Sequence, residues 1–400
     1  MLWIILGIVL FMFLVLIHEL GHFSIARAFR VKVMEFGIGI PPKVGSLGKD
    51  KHGTEYTINA IPLGGFVRLK GENPGDADEF NASDSFISAS LGAKILILLG
   101  GVAVNTVFAW IAFSISFSQG IVPINILPDN MLPHQSTSYL MPSKSFLEEQ
   151  GLLSGAAETQ AVTIESVLPD SLAARSGIQV GDKLLSLNGN VVDVSTFGKE
   201  LQKYIGQTLE IAYERDGQPK TLQVACPTDG CFLGIVLAGD GKMLKWPIKF
   251  SGWKAWEMWW HEIKAQSKLT FTLLWTLWRN LISFDSQRMG DSVSKLSGPV
   301  GIIKFGEMIL LEGGVWLYLA FGGMISLALA LFNVLPIPAL DGGRILGVLV
   351  QYFWRFAPEK YFVIENYINM FFFVILMWLG IYIILLDLIR FWGVSIPWIG

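Results

Sequence analysis

Four long runs of apolar residues organise the chain, and more polar stretches separate them. The runs cover about Leu2–Phe23, Ile95–Phe117, about Val315–Leu340 and about Tyr367–Leu386. A helix of about 20 apolar residues is long enough to cross a hydrocarbon core roughly 30 Å thick. The pattern therefore predicts a polytopic α-helical membrane protein with four transmembrane helices.

Polar residues interrupt the first and third runs near one end. The first run contains His18, Glu19 and His22, and the third contains Asn333 followed by Pro336 and Pro338, which are expected to break its helix. Ionisable side chains inside a membrane span cost on the order of 2.5–3.5 kcal/mol on insertion scales, so they indicate function by default. The first run lacks a basic leading segment and a small-residue cleavage site, so we expect a retained span rather than a signal peptide.

The positions of lysine and arginine predict the orientation in the membrane. The loop between the first two spans is basic, and its cationic residues are Arg27, Arg30, Lys32, Lys43, Lys49, Lys51, Arg68, Lys70 and Lys94. Short basic loops face the cytoplasm, and Arg344, Arg355 and Lys360 between the last two spans agree. We therefore expect the N-terminus, residues 119–313 and the C-terminus on the outer side of the membrane.

Residues 161–240 follow a different pattern, in which short runs alternate apolar and polar positions between turn residues. That alternation predicts β-strands, with turn, strand and turn in GDKLLSLNGN. We also expect a short helix at Ser171–Ser176, ended by Gly177. The run P-x-S-x-A-x-x-x-G-I-x-x-G-D-x-L-L-x-x-N-G resembles the PDZ family. The resemblance implies an extracytoplasmic β-rich PDZ domain that captures peptide C-termini or extended segments, or that only excludes bulky partners.

The regions on either side of this domain differ from it and from the apolar runs. Residues 119–160 have weak periodicity and several prolines, which predicts a linker or a PDZ-associated segment. Residues 246–285 interleave tryptophan with Lys, Glu and His, which predicts an amphipathic helix on the outer membrane surface. His261 lies there, and we expect it to be an interfacial polar residue rather than a ligand. The expected divisions are a membrane core (1–118), a linker (119–160), a PDZ domain (161–240), interfacial helices (241–313) and a second membrane core (314–400).

Composition agrees with a membrane protein. The chain of 400 residues is 52% hydrophobic and 16% charged, against roughly 25% charged in a typical globular chain. The net charge of −3 gives no reason to expect nucleic acid as a partner. The two cysteines, Cys226 and Cys231, lie in the outer segment, where a disulfide and two free thiols are both possible.

The sequence H-E-x-x-H in the first run carries candidate metal chemistry. On a helix, His18 and His22 lie on one face one turn apart, so their two imidazoles can share a tetrahedral zinc, with Glu19 beside the bound water. A third protein ligand is still needed. Asp341, in FNVLPIPALDGGR, is the candidate, although it is also placed to cap a helix that begins near Gly342.

Together these motifs resemble the site-2 protease family of intramembrane zinc metalloproteases. The resemblance rests on H-E-x-x-H in the first span and N-x-x-P-x-P-x-L-D-G at the end of the third. GTEYTINAIPLGGFVRLKGE resembles the membrane-re-entrant β-hairpin of its bacterial branch. GGVAVN resembles its second-span G-x-x-x-N element, with Val102 where proline is usual. Two PDZ domains are common in that branch, and the one PDZ domain expected here is closer to its members that have a single one.

The resemblance implies an enzyme that binds Zn²⁺ and cuts within the membrane. It implies His18, His22 and Asp341 as zinc ligands and Glu19 as the catalytic base and later acid. It further implies a bacterial cytoplasmic membrane, and the basic loops predict that the site lies near the cytoplasmic side of that membrane. Its substrates are then single-pass membrane proteins, such as anti-sigma factors or signal-peptide remnants.

The resemblance also implies residues that contact the substrate. Asn333 and Asn105 become groups that hold the substrate backbone or line the site. Gly64 and Gly65 mark the hairpin that is expected to pair with an unwound substrate strand.

A metal transporter and an inactive PDZ scaffold are two alternatives to a protease. A metal transporter also needs polar residues in its spans, but the four runs show no inverted repeat and the polar residues cluster near one face. An inactive PDZ scaffold predicts the loss of at least one of His18, Glu19, His22 and Asp341, and all four are present.

Overall fold

The computed structural model describes thirteen stretches of the chain. These are residues 2–72, 82–124, 136–150, 162–167, 171–191, 197, 200–201, 203–227, 231, 233–239, 248–282, 298–356 and 358–392. Two compact units contain them. The first comprises the described parts of 1–124, 138–140 and 247–400, and the second those of 125–137 and 141–246.

The elements alternate between helical segments and two separate β-regions. In chain order they are α1 (Leu2–Ala28), β1 (Val33–Lys49), β2 (Glu55–Leu69), α2 (Leu91–Gln119), α3 (Lys144–Glu149), β3 (Val162–Val167), α4 (Leu172–Arg175), β4 (Lys183–Leu187), β5 (Asn190–Val191), β6 (Thr208–Arg215), β7 (Gln218–Ala225), β8 (Ile235–Gly239), α5 (Trp253–Ile282), α6 (Pro299–Val334), α7 (Asp341–Trp354) and α8 (Pro358–Trp392).

Four of the described helices are long and apolar enough to cross a membrane. They are Ile5–Ala28, Leu91–Gln119, Pro299–Val334 and Val363–Ile389. The prediction of four spanning helices is therefore confirmed by length and composition.

The predicted break near the end of the third run is confirmed. The run extends to about Leu340, but α6 ends at Val334 and the next helix begins at Asp341. Pro336 and Pro338 explain the break, because proline has no N–H to continue the helical ladder. α6 also begins well before the predicted span, and its backbone is kinked at Gly314, where φ is 74°.

A close contact between backbones positions α1 against α2. A side chain at Gly21 would overlap the carbonyl group of Gly100, and a Cβ at Gly100 would lie 2.6 Å from the carbonyl oxygen of Gly21. Glycine at both positions lets the two helices approach more closely than any other residue allows. This contact holds the H-E-x-x-H turn of α1 directly against α2.

The first β-region is a folded hairpin of two long strands. β1 and β2 pair antiparallel, and residues of Val33–Ile38 have partners in both halves of β2, since Glu35 faces both Arg68 and Glu55. Gly65–Leu69 is paired along one edge, to Val33–Ile38. The prediction of a β-hairpin in this loop is confirmed, whereas its membrane re-entry stays a prediction.

The β-rich second unit is built on a six-stranded sheet. The strand order is β7-β6-β4-β3-β8, with β5 paired to β4. The predicted short helix is present as α4, which Ser171 caps through its side chain, and Gly177 follows with φ of 83°. The predicted strand in GDKLLSLNGN is β4. Cys226 and Cys231 form a disulfide, which resolves the two alternatives left by the sequence.

The tryptophan-rich segment forms the long helix α5 of the first unit. Its surface position on a membrane stays a prediction. His261 has a ring contact with Tyr139, with 6.2 Å between the ring centroids, and it does not belong to the candidate metal group of the described residues. Parts of the predicted linker (125–135 and 151–160) and of the predicted interfacial region (241–247 and 283–297) lie outside the described residues.

Asp387 joins two helices of the first unit. This buried carboxylate of α8 accepts a hydrogen bond from the backbone N–H of Gly301 in the first turn of α6, at 2.8 Å. The N-cap residue of α6 is Gly298, which has no side chain to serve that turn. A carboxylate from another helix therefore satisfies one of the free N–H groups that every helix start leaves.

An ion pair with a buried carboxylate stabilises the second unit. The Asp182 carboxylate accepts hydrogen bonds from Arg215 Nε at 2.6 Å and Nη2 at 2.7 Å, and from the Gln179 N–H at 2.8 Å. Burial alone would raise the pKa of Asp182, but these hydrogen bonds lower it below its usual range. A carboxylate with a lowered pKa stabilises the fold above its unfolded-state pKa of about 3.9, and this stability is lost as the pH falls further.

We expect Asp182→Asn to reduce the stability of the β-rich unit by about 1–3 kcal/mol at pH 7, because hydrogen bonds to a charged group are lost. Hydrogen exchange of the β4 and β6 amides in the full-length protein measures this loss. In the wild type, the protection factors of these amides, which correct for the intrinsic exchange rate, should fall below about pH 4. A variant whose exchange matches the wild type at pH 7 would contradict a stabilising role for the pair.

Candidate metal centre

Three ligand-type side chains from two distant parts of the chain meet in the first unit. His18 and His22 are buried on one face of α1, and Asp341 lies in the first turn of α7. His18 Nε2 is 3.1 Å from Asp341 Oδ2, and His22 Nε2 is 3.4 Å from the same oxygen. The two Nε2 atoms are 3.1 Å apart. This is the metal-type cluster found among the described residues.

The spacing of these atoms fits zinc. Tetrahedral zinc holds nitrogen and oxygen ligands at about 2.0–2.1 Å, which places neighbouring ligand atoms about 3.3–3.4 Å from each other. The observed separations of 3.1 to 3.4 Å agree with that geometry. Three protein ligands also leave a fourth position open, as catalytic zinc sites require.

The alternative that Asp341 only caps a helix is wrong. The N-cap position of α7 is occupied by Leu340, and no side chain makes a capping hydrogen bond there. The Asp341 carboxylate instead points at both histidines. The break in the helix after Val334 makes this possible, because it allows the first residue of α7 to reach the histidines of α1.

The tautomer of His22 suits a metal ligand. Its Nδ1 is 2.8 Å from the backbone carbonyl oxygen of Ile97 on α2. A carbonyl oxygen can only accept, so Nδ1 carries the proton and Nε2 presents a lone pair. A metal-binding histidine usually donates from its other ring nitrogen to an outer partner such as a backbone carbonyl.

Glycine makes room for the imidazoles beside α2. A Cβ at Gly101 would lie 2.5 Å from His18 Cε1 and 2.6 Å from the Nε2 atoms of both His18 and His22. A methyl group at this position would therefore displace both rings. Gly101 was not among the predicted site residues, although it stands in the GGVAVN sequence.

The predicted asparagines both reach His18. Asn333, near the end of α6, places Nδ2 3.3 Å from His18 Nε2. Asn105, on α2, is fully buried and places Nδ2 3.3 Å from His18 Nδ1. Asn333 thus lies on the metal side of the ring, and Asn105 lies on the opposite side.

A cavity of about 340 Å³ opens onto the metal cluster. Beside the three ligand-type residues, its walls include Glu19, Phe66, Val67, Asn105, Asn333 and Arg344. Glu19 follows His18 directly on α1 and faces the same space. The cavity therefore brings the predicted base and the metal cluster together with one edge of the hairpin.

The predicted hairpin glycines lie against α1. A Cβ at Gly65 would lie 2.8 Å from Leu16 Cδ2 and 3.7 Å from Glu19 Cγ, and Gly64 has φ of 126°. The strand that begins at Gly65 therefore passes directly beside the base. Phe66 and Val67, which follow it, line the cavity and were not singled out from the sequence.

An ion pair at the edge of the cavity was also missed from the sequence. Arg344 Nη1 is 2.6 Å from Glu72 Oε1. Arg344 follows Asp341 by three residues, which places both on one face of α7. The LDGGR sequence places Arg344 three residues after Asp341, but from the sequence we predict only its contribution to the orientation in the membrane.

Comparisons with known proteins bear on this site. The model of the family described as peptidase family M50 matches residues 6–377. A Clostridium perfringens protein, whose name assigns it provisionally to the zinc metalloproteases, is 30% identical over 97% of this chain and 98% of its own. Regulator of sigma-E protease RseP of Escherichia coli is 26% identical over 84% of this chain and 88% of its own.

One solved structure resembles part of the chain. The PDZ domain of an SdrC-like protein from Listeria monocytogenes is 22% identical and covers 22% of this chain and 96% of its own. The TM-score is 0.20, and the likeness therefore carries no argument about the fold.

We expect Gly101→Ala to weaken zinc binding about 10- to 100-fold, because the added methyl group displaces both imidazoles. Gly92→Ala is the matched control, since it lies on the same helix and its added Cβ meets no atom within 4 Å. Chelator competition on the purified proteins measures both affinities. Equal affinities for the two variants would show that Gly101 is not needed to seat the histidines.

Proposed function

This chain belongs to peptidase family M50 and is a zinc metalloprotease of the site-2 type, and from that premise we propose that it hydrolyses peptide bonds within transmembrane segments of single-pass membrane proteins. One observation carries the proposal. The two histidines of the metal-type cluster lie on a helix able to span a membrane, and the cavity that the cluster lines is bordered by an edge of the β-hairpin. A cleavage site inside the bilayer accounts for that combination.

In this proposal His18, His22 and Asp341 hold the zinc. When bound there, the ion polarises the scissile carbonyl and lowers the pKa of a water molecule to about 7. Glu19 takes a proton from the attacking water and passes it to the leaving amine nitrogen. Its place next to His18 and within the same cavity supports that role.

The substrate must be unwound before it is cut, because the amide bonds of a transmembrane helix are hydrogen-bonded within that helix. We propose that the backbone from Gly64 and Gly65 onward receives the unwound segment. Support comes from Gly65–Leu69, which pairs with Val33–Ile38 along one side and lines the cavity with Phe66 and Val67. Strand addition to such an edge gives affinity through backbone hydrogen bonds, independent of sequence.

Asn333 is proposed to hold the substrate backbone. Its amide is on the metal side of His18, where a scissile peptide would lie, and it is only partly buried. The amide group offers both a donor and an acceptor, which matches the two polar groups of a peptide bond.

The orientation proposed is that of a multi-pass protein of a bacterial cytoplasmic membrane. The basic loops before α2 and around α7 favour the cytoplasm. His22 lies six residues before the end of α1, about 9 Å along the helix axis, so water can reach it from the cytoplasmic side. The β-rich unit is then extracytoplasmic, and we propose that it is a PDZ domain that binds extended peptides or excludes bulky proteins.

Candidate substrates are anti-sigma factors and signal-peptide remnants. The name of the Escherichia coli relative links that protein to control of a sigma factor, and we extend this link to the present chain as part of the proposal. Neither the transporter nor the inactive scaffold gains support, because the residues that a protease needs lie in one cavity.

We expect Glu19→Gln to lower the cleavage rate about 10²- to 10⁴-fold, because the amide cannot accept the proton of the attacking water. The assay is cleavage of a model single-span substrate in proteoliposomes, with zinc content measured on both purified proteins. Both should hold about one zinc, since Glu19 is not among the ligand-type residues.

Two outcomes would contradict the proposal. If the variant cuts as fast as the wild type, Glu19 is not the base. If the wild type binds zinc and cuts neither full-length nor pre-trimmed single-span substrates, the proposed substrate class is wrong.

A further inference from the structure

The side-chain amide of Asn105 is buried beside His18, and one of its two polar atoms has no hydrogen-bond partner among the described residues. Asn105 is fully buried, and Nδ2 lies 3.3 Å from His18 Nδ1. Its Oδ1 is buried and has no hydrogen-bond partner among the described residues. A buried carbonyl oxygen without a donor costs about 1–3 kcal/mol, so the orientation of this amide needs an explanation.

The chemistry of His18 supplies that explanation. An amide N–H donating to Nδ1 would leave the proton of the neutral ring on Nε2, where it blocks metal binding. If His18 Nε2 is a zinc ligand, Nδ1 carries the proton and requires an acceptor. The oxygen and nitrogen of a side-chain amide are interchangeable by a 180° rotation. That rotation places Asn105 Oδ1 at the Nδ1 proton and gives the oxygen the donor that it lacks.

The two histidines then follow one rule. His22 Nδ1 donates to the backbone carbonyl oxygen of Ile97. With the amide rotated, His18 Nδ1 donates to Asn105 Oδ1 in the same way, at the position where Asn105 Nδ2 lies 3.3 Å away. Both acceptors are on α2, eight residues apart. α2 therefore sets the tautomer and the ring orientation of both histidines from the side opposite Asp341.

Asn105 is itself held from a third helix. The buried Ser326 hydroxyl of α6 donates to the backbone carbonyl oxygen of Asn105, at 3.0 Å. Ser326 precedes Asn333 by seven residues, about two helical turns, so one face of α6 carries both. The amide that touches His18 is thus part of the contact between α2 and α6.

We propose that Asn105 is a positioning residue whose side-chain oxygen accepts the Nδ1 proton of His18 and keeps Nε2 free to bind zinc, and that it does not bind the substrate. The inference rests on the zinc site of the proposed function. Of the two roles expected from the sequence, it keeps Asn105 in the lining of the site and replaces the role of holding the substrate backbone.

The test compares two substitutions at Asn105 in the purified full-length protein. Asn105→Asp keeps an acceptor oxygen and removes the donor, whereas Asn105→Leu removes both at similar volume. Zinc affinity is measured by chelator competition, and the melting temperature of each zinc-free protein is recorded. Ser114→Ala, at another buried polar position of α2, is the matched control.

The expected result is a 10- to 100-fold loss of zinc affinity for Asn105→Leu. Asn105→Asp and Ser114→Ala should stay within about threefold of the wild type, or bind more tightly in the case of Asp, since carboxylates are common outer partners of zinc-bound histidine. The melting temperatures of the two zinc-free Asn105 variants should not rank in the order of their zinc affinities. For Asn105→Asp, cleavage should keep its KM.

Three results would overturn the inference. Equal losses for Asp and Leu would mean that Asn105 acts as a donor or only as packing. Unchanged zinc affinity in Asn105→Leu, with a raised KM, would return Asn105 to the substrate. A wild type without measurable zinc affinity would reject the zinc site itself, and that failure of the proposed function is distinguishable because it appears before any Asn105 variant is compared.

Discussion

The convergence of His18, His22 and Asp341 depends on how closely α1 and α2 approach each other. Gly21 and Gly100 place backbone against backbone, and Gly101 leaves the space that the two imidazoles fill. With any larger residue in these places, the ring nitrogens could not face the carboxylate and also keep their outer partners on α2. Close packing through small residues is how helices associate where lipid removes the usual hydrophobic drive.

The second requirement is the break between α6 and α7. Pro336 and Pro338 end one helix and permit another to begin at Asp341, so that a carboxylate can approach the histidines from outside the straight path of a span. Irregular backbone at membrane depth is tolerated where it lines a cavity or is buried in protein. Here that segment contributes Ala339 and Leu340 to the cavity wall. The hydrogen bonds lost by interrupting the helix are therefore lost where the backbone lines the site.

The hairpin adds what a metal site alone lacks. A bound ion and a base suit hydrolysis in general, but a helical substrate offers no free peptide groups to them. Gly65 brings an extended strand to within van der Waals distance of α1 beside Glu19. The cavity therefore combines a strand edge with the groups proposed to act on a substrate, and this combination is the physical basis for the proposed cleavage of membrane segments.

The sequence by itself determined the four spans, the H-E-x-x-H turn and the short helix and strand of the β-rich unit, because helical spacing, run length and turn residues are local properties. It also identified Asp341 as a candidate third ligand, the helix break at Pro336 and Pro338, and, through resemblance, both asparagines. Only the tertiary structure decided the role of Gly101 and the contacts of Phe66 and Arg344 with the cavity. It likewise revealed that Asn105 lies behind His18 and that Asp387 serves the start of α6. Those facts depend on which atoms of distant segments meet, and no local pattern specifies such distances.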